Sequence, residues 1–472
     1  MNHLSNRGKL VYIIGFSICL VFSIFAIFSA LNSPYKYLDL DDFNHLARVR
    51  WSIFGERRIT FLQREKPINY YWAFHFMLKP FCYVKEREIS VKQPKITGEK
   101  FDIYKFYSDA KSCIKVYSIF KALIVSFLFY IFIFVLIEFG FIRDFWGFLL
   151  PLSISPLFFH VQSGRLLSYI MFVLFIFSIY KRNYLLTFFT QIVWSNLHIS
   201  ATFGPFLAFF LMFFGRAERK FFVPIICFFC SLINPYHIFL YKENFDHIVI
   251  FLAGFFKEIN FSKIEENKHL FYGNMISKLK LIIALTLFAI QVLSFGEKRK
   301  LIYFIPLIIL PFFIRRLLFF PLFITGFHIR KNKLAYILSL IIFYPSIKLY
   351  FYYSHYYEYH NLYAEKLIFS EIFKTRCSGL VHSAFTSLTV FFSYPQTIIY
   401  YDFFTTWNKL EKLKEQSDTY EELIYNGVRC IVSSPQFYKM TPQRFPRAII
   451  WRDGPFTIID VDAMAKYLFY TR

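Results

Sequence analysis

The stretch YLDLDDFNHLARVRWSIFG, residues 37–55, crowds Asp39, Asp41 and Asp42 against His45, Arg48 and Arg50 directly after the first apolar run. Carboxylates are costly near hydrocarbon, so a cluster kept there marks either a solvated linker or a working site. On a helix, Asp42 and His45 share a face at i, i+3, and Asp41 and His45 at i, i+4. A carboxylate so placed can take the proton of an attacking hydroxyl. Position at the end of DLDD ranks Asp42 first as such a base, Asp41 second and Asp39 third. The architectural alternative is a juxtamembrane helix running from about residue 42 to 54, with the carboxylates at its positive dipole end. Both readings stand.

Phosphate recognition calls for arginine, whose planar fork matches phosphate oxygens and stays charged. Arg165, closing FHVQSGR (159–165), and the adjacent Arg315 and Arg316 fit that role, with Lys66 and Lys242 behind them. Snorkelling at span ends is the plain alternative for each. Asn196 and His198 bracket SNLH, and His237 follows NPY. For these three, hydrogen bonding between helices competes with substrate binding. Asp39, Asp41, Asp42, His45 and His160 offer hard ligands that leave a divalent cation open. No Cys/His spacing of the zinc kind occurs, so no metal or other cofactor is assigned. Of the seven cysteines, Cys227 and Cys230 in CFFC lie inside an apolar run and read as packing. Cys82 with Cys113, and Cys377 with Cys430, fall in segments expected outside the membrane, where disulfides remain open.

The elements that must position these groups are set by hydropathy. The chain has 472 residues, 56% of them hydrophobic, which exceeds what a soluble core needs. Apolar runs recur at 10–31, 114–141, 146–159, 166–180, 184–197, 200–214, 221–235, 279–295, 301–313, 317–328 and 334–350. An α-helical polytopic membrane protein with about eleven transmembrane helices is therefore expected. The first run is too long for a signal-peptide core and reads as an uncleaved helix. Every second junction is basic: Arg7 and Lys9; Arg143; Lys181 and Arg182; Arg216, Arg219 and Lys220; Lys298 to Lys300; Arg330 to Lys333. Those junctions are assigned to the cytoplasm. The alternate junctions, with every candidate above, then face outward. Several runs shorter than a full span predict helix ends below the outer surface and a polar cavity at membrane depth.

Two domains follow: residues 1–350, a membrane domain that includes a large first outer loop (32–113), and 351–472, a small extracytoplasmic α/β domain. In the latter, QTIIYYD (396–402) and VRCIVSS (428–434) read as strands flanking an amphipathic helix at 407–427. RAIIWRDGPFTIIDVD (447–462) reads as a hairpin turning at Asp453-Gly454. The net charge of +23 falls in no stretch long enough or free enough of apolar spans to form a nucleic-acid-reading module. Membrane lipid is the expected partner of that charge.

The order of motifs resembles the GT-C glycosyltransferases, and within them a group of uncharacterised bacterial multi-pass members related to protein mannosyltransferases and aminoarabinose transferases. The resemblance spans most of the chain. The aspartates of DLDD and REKPINYYW (64–72) are similar to the family's acidic residue and K-P-P-x-x-Y-W stretch. HVQSGRLLSYIMFVL, VWSNLHISATFG, SLINPYHIFLY and RRLLFFPLFI look like its R-P-Q, W-x-N-x-H-G, N-P-x-G and R-x-x-P-x-F segments. Departures occur: the acidic pair is Asp41-Asp42, the second proline of K-P-P is Ile68, and the N-P-x-G segment ends in His237. The resemblance implies an enzyme of the bacterial inner (cytoplasmic) membrane with its C-terminal domain outside. It implies transfer of a sugar from a polyprenyl-phosphate donor to a glycan, lipid or protein acceptor on the outer face. An O-antigen polymerase or ligase, and a non-enzymatic membrane protein or transporter of cell-envelope glycans, stand as alternatives.

Overall fold

The computed structural model describes residues 6–50, 71–82, 107–214, 220–242, 244–245, 275–313, 320–383, 389, 391–392, 397–399, 423–424, 427–433, 441–454 and 456–470. Lys66, Arg315, Arg316 and most of the expected helix at 407–427 lie outside them, and of Asp41 only the backbone is described. The chain forms two compact units: residues 1–37 with 118–355, and residues 38–117 with 356–472. The division differs from a cut at 350, because the segment expected as the first outer loop groups with the tail rather than with the apolar helices.

The first unit carries the apolar helices. In chain order the described helices are α1 (Asn6–Asn32), α2 (Leu40–Arg50), α3 (Trp72–Cys82), α4 (Tyr107–Glu138), α5 (Leu149–Phe158), α6 (Ser163–Tyr180), α7 (Tyr184–Leu197), α8 (Gly204–Phe213) and α9 (Phe222–Ser231). They continue as α10 (Met275–Ser294), α11 (Lys298–Phe313), α12 (Phe320–Thr325), α13 (Lys333–Ile368) and α14 (Glu371–Arg376). Each apolar run of the sequence holds one of these helices. Five of them, α1, α4, α6, α10 and α13, are long and apolar enough to cross a membrane. Only 22% of the apolar window of α1 is buried, with Phe16, Val21 and Phe28 more than 60% exposed. A face that greasy is stable only against hydrocarbon, so this is a helical membrane protein.

The short helices stop where local chemistry stops them. Asn183 caps α7, its side-chain oxygen accepting from Leu186 N at 3.1 Å. Its other end stops at His198, which is extended, and α8 restarts at Gly204-Pro205, proline being tolerated in a first turn. Junctions of like kind touch one another. Lys181 Nζ donates to Glu138 Oε2 at 2.6 Å, Lys331 pairs with Asp144, and Asn332 Nδ2 donates to the Leu293 carbonyl at 3.0 Å. In the alternate set, Asn196 Nδ2 donates to the Ile233 carbonyl at 2.8 Å and Asn244 Nδ2 to Thr202 Oγ1 at 2.6 Å.

The second unit contains a five-stranded sheet. Its strands are β1 (Gly379–Ser383), β2 (Thr397–Ile399), β3 (Cys430–Ser433), β4 (Ile449–Asp453) and β5 (Phe456–Asp460), followed by α15 (Val461–Tyr470). They are ordered β2-β1-β3-β5-β4, with β2, β1 and β3 parallel and β3-β5-β4 antiparallel. The hairpin turns at Asp453-Gly454 as expected, Gly454 adopting φ +55°, where a side chain is disfavoured. Ile431, Ile459, Phe445, Val461 and Met464 pack into one buried cluster beside the sheet. The strand β1 carries little alternation and was not expected from the sequence. A disulfide between Cys377 and Cys430 joins the end of α14 to β3.

Candidate functional site

The acidic stretch builds the start of α2. Asp39 Oδ1 accepts from Asp42 N at 2.8 Å, and Asp42 Oδ2 accepts from Asp39 N at 3.3 Å. This reciprocal arrangement is a capping box made of two aspartates, and it satisfies two backbone donors that a helix start leaves without helical partners. The helix therefore begins at Leu40, earlier than the expected 42, because Asp39 rather than Asp42 is the cap.

Asp42 also meets a second element, α4. Its side chain is fully buried, and Tyr117 in α4 donates its hydroxyl to Asp42 Oδ1 at 2.8 Å. Cys113 lies one turn before Tyr117 on the same face of α4 and forms a disulfide with Cys82 at the end of α3. The covalent tie that fixes α3 to α4 thus also orients the tyrosine that holds Asp42. One turn further along α2, His45 Nδ1 lies 2.8 Å from His75 Nε2 of α3, one ring donating and the other accepting. Tyr71 and Phe74 enclose His45 edge-on, at ring separations of 4.6 and 5.2 Å. Burial pulls the His45 imidazole down to about 4, the Asp42 charge opposing and the Arg48 charge adding to it. Burial, with the neighbouring His45 and Arg48, holds His75 well below the ordinary range. Both rings are neutral at pH 7. On another face of α2, buried Arg50 lies over the Phe391 ring, 5.2 Å from its centroid, and Phe43 packs against the same ring.

The i, i+3 pairing of Asp42 with His45 is present: the carboxylate is an electrostatic neighbour of the imidazole. Both Asp42 oxygens are engaged in this state. For Asp42 to serve as a base, an acceptor hydroxyl must take the place of the Tyr117 hydroxyl on Oδ1. The exchange is chemically even, one O–H donor for another.

The other described candidates lie in the first unit. Arg165 sits half-buried in the first turn of α6. Asn196 donates to the Ile192 and Ile233 carbonyls, and His237 Nδ1 bonds the neighbouring Leu232 carbonyl at 2.9 Å, so both gather on the 232–233 turn. His237 holds a positive φ of 47° and is exposed. His198 Nδ1 accepts from Ser200 N at 3.0 Å and caps the turn that follows. Ser200 in turn meets Ser168 at 2.6 Å, and Trp194 donates to Ser168 at 3.0 Å. Asn196 thus makes a helix-joining bond of the kind that competes with substrate binding, whereas the His198 bonds described are local to its own turn. Among the described residues, no three His, Cys, Asp or Glu side chains come together in a way that could hold a metal ion.

Compared with family models, curated proteins and solved structures, the chain matches none. Two residues that hold this site leave no signal in the sequence: Tyr117 in α4 and His75 in α3. Tyr117 sits inside a long apolar stretch, where hydropathy averaging hides single polar side chains. Nothing in the spacing of residue 75 ties it to residue 45, since the segment between them contains no periodic signal.

Proposed function

We propose that the chain is an integral-membrane glycosyltransferase of GT-C type. In this reading it transfers a sugar from a polyprenyl-phosphate donor to an acceptor hydroxyl outside the cytoplasmic membrane, with about eleven helices at least partly embedded. The observation that supports it best is the Asp42 carboxylate, buried and held by the Tyr117 hydroxyl in a disulfide-pinned helix cluster just after the first membrane helix. A lipid-phosphate donor carries its own leaving group, so the protein needs to supply one proton acceptor and positive charge for the departing phosphate. Asp42 fills the first role. Arg165, Arg315, Arg316 and Lys66 remain the proposed source of the second. The acceptor, be it glycan, lipid or protein, enters by replacing Tyr117 on Asp42 Oδ1.

The reciprocal bonding of Asp39 and Asp42 favours a second reading, in which DLDD serves only to start α2. Transfer from polyprenyl-phosphate sugars by the purified full-length chain separates the two. Asp42→Asn keeps an acceptor for the Asp39 amide and leaves the Tyr117 hydroxyl free to reverse its bond. The variant should therefore fold, yet lose roughly 10² to 10⁴-fold in transfer, the usual worth of a positioned base. Tyr117→Phe should retain much of the activity. Wild-type rates in Asp42→Asn combined with Asp41→Asn would leave capping as the whole role of the stretch.

A further inference from the structure

The helix α3 is apolar on both of its sides. Phe74, His75, Leu78 and Cys82 are buried, and three of them fasten the helix to its neighbours: His75 meets His45 of α2, Phe74 meets Tyr117 of α4, and Cys82 is bonded to Cys113 of α4. The opposite stripe follows helical spacing through Phe76, Met77, Pro80 and Phe81, all exposed, with Phe76 at 68% and Phe81 at 59%. That stripe holds no polar side chain, and α3 contains no carboxylate. A helix with a water-facing side places charge there, and an apolar patch in its stead marks a surface that something covers.

The disulfide gives the depth of this stripe. Cys113 is the fourth residue of the apolar part of α4, Ala110–Glu138, and its Cα lies 4.9 Å from that of Cys82. The 29 residues of that part measure about 43 Å at about 1.5 Å each. Hydrocarbon accounts for about 30 Å of a bilayer, and the headgroup layers bring the total to about 40–45 Å. A spanning helix of that length crosses both headgroup layers, so Cys113 falls at the boundary between headgroups and acyl chains. Cys82, and with it the end of α3, is held at the same level. Helices lying in a bilayer surface bury their apolar faces at that boundary. A protein partner would favour an apolar centre rimmed by polar groups, which the stripe lacks. The chain that follows, VKEREISVKQPKITGEK (84–100), is dominated by charge and supplies no apolar face of its own. Lipid requires no polar rim, and α4 already carries the disulfide into it.

We propose that α3 lies in the surface of the bilayer with Phe76, Met77 and Phe81 seated among lipid acyl chains. The second unit then rests on lipid through this helix, besides being joined to spanning helices. Because the inner side of α3 presents His75 and Cys82, lipid on its outer side braces the histidine pair and the disulfide from outside. The inference uses none of the residues given to sugar transfer above, and it stands whether or not that reading does.

Spin labelling of the full-length protein in phosphatidylcholine liposomes tests the seat of the helix. Nitroxides are attached to Phe76→Cys and Met77→Cys, one variant at a time. Cys19, Cys227 and Cys230 are buried, and the wild-type protein treated alike gives their background. Collision of each label with oxygen, which concentrates in acyl chains, is compared with collision with a neutral nickel chelate, which stays in water. Labels at Phe28→Cys on the exposed face of α1 and at exposed Glu371→Cys set the lipid and water limits. Oxygen should be favoured at positions 76 and 77, as it is at 28. A preference for the chelate at either position, as at 371, would show a water-facing stripe and overturn the proposal. Protection from both reagents at either position would overturn it as well, since the stripe would then be covered by protein, whether another segment of this chain or a second copy. Both substitutions fall at exposed positions, and if one variant does not fold the other decides alone.

Discussion

At the scale of single residues, the paired histidines of the second unit have the clearest consequence. His45 and His75 are buried, adjacent and neutral, and burial lowers His45 to about 4 from an ordinary value near 6.5. Between those values the unfolded chain binds protons that the folded chain refuses, so stability falls as pH drops from about 6.5 toward 4. Above pH 7 both states are neutral at these groups, and the pair contributes no slope. Hydrogen exchange of α2 and α3 followed from pH 7.5 to 4.5 should show protection declining over that window. In His45→Phe with His75→Phe the decline should flatten, since two apolar rings have no proton to refuse. An acid response of undiminished slope in that variant would assign the sensitivity to other groups. In the proposed reading Asp42 has two roles. Its Oδ2 closes a helix start, while its Oδ1 faces a hydroxyl that a substrate hydroxyl could replace.

Several helices of the first unit are short and closely fitted, and Gly204 shows how closely. A Cβ built there would lie 1.9 Å from Gln191 Oε1 and 2.8 Å from its Cδ. Gln191 cannot swing away freely, because it is fully buried and its Nε2 donates to the Ala201 carbonyl at 2.9 Å. Gly204→Ala should therefore cost about 1–3 kcal/mol, typical of overpacking. A thermal unfolding curve in detergent reads this as a lowered Tm, and adding Gln191→Ala should restore part of it. A Gly204→Ala protein as stable as the wild type would show that α7 and α8 separate more easily than their packing implies. The disulfide between Cys82 and Cys113 acts at the same scale in the second unit. It closes a loop of 31 residues in sequence separation and stabilises by an order of 3–4 kcal/mol in the chain-entropy account.

For the whole molecule, the alternation of basic and polar junctions makes a statement about sides. Glu138 with Lys181, and Asp144 with Lys331, link junctions that the Lys/Arg rule assigns to the cytoplasm. The proposed orientation puts Arg182 inside and Glu371 outside. Cysteines introduced singly at these two positions, both exposed, should differ in labelling by a membrane-impermeant maleimide on intact cells. Glu371→Cys should label directly, and Arg182→Cys only after permeabilisation. The reverse pattern would invert the topology and move the Asp42 cluster to the cytoplasm. The two native disulfides agree with an oxidising compartment for the second unit.

The sequence by itself determined class and local chemistry. Apolar runs mark helices because hydrocarbon demands internally satisfied backbones, and this signal needs no long-range information. The Asp453-Gly454 hairpin was legible for a similar reason, as the turn residues carry the backbone geometry themselves. The face shared by Asp42 and His45 followed from helical periodicity alone. Tertiary structure decided what these groups meet. Tyr117 reaches Asp42 across 75 residues, and His75 reaches His45 across 30. His160 reaches the Tyr350 carbonyl across 190. Partners so far apart in the chain share no periodicity, and a lone tyrosine in an apolar helix barely alters its mean hydropathy. The cysteines were visible, but which of them lie within disulfide reach depends on how helices and strands dock. That docking also set the unit boundary, grouping residues 38–117 with the tail, because packing follows contact in space rather than order along the chain.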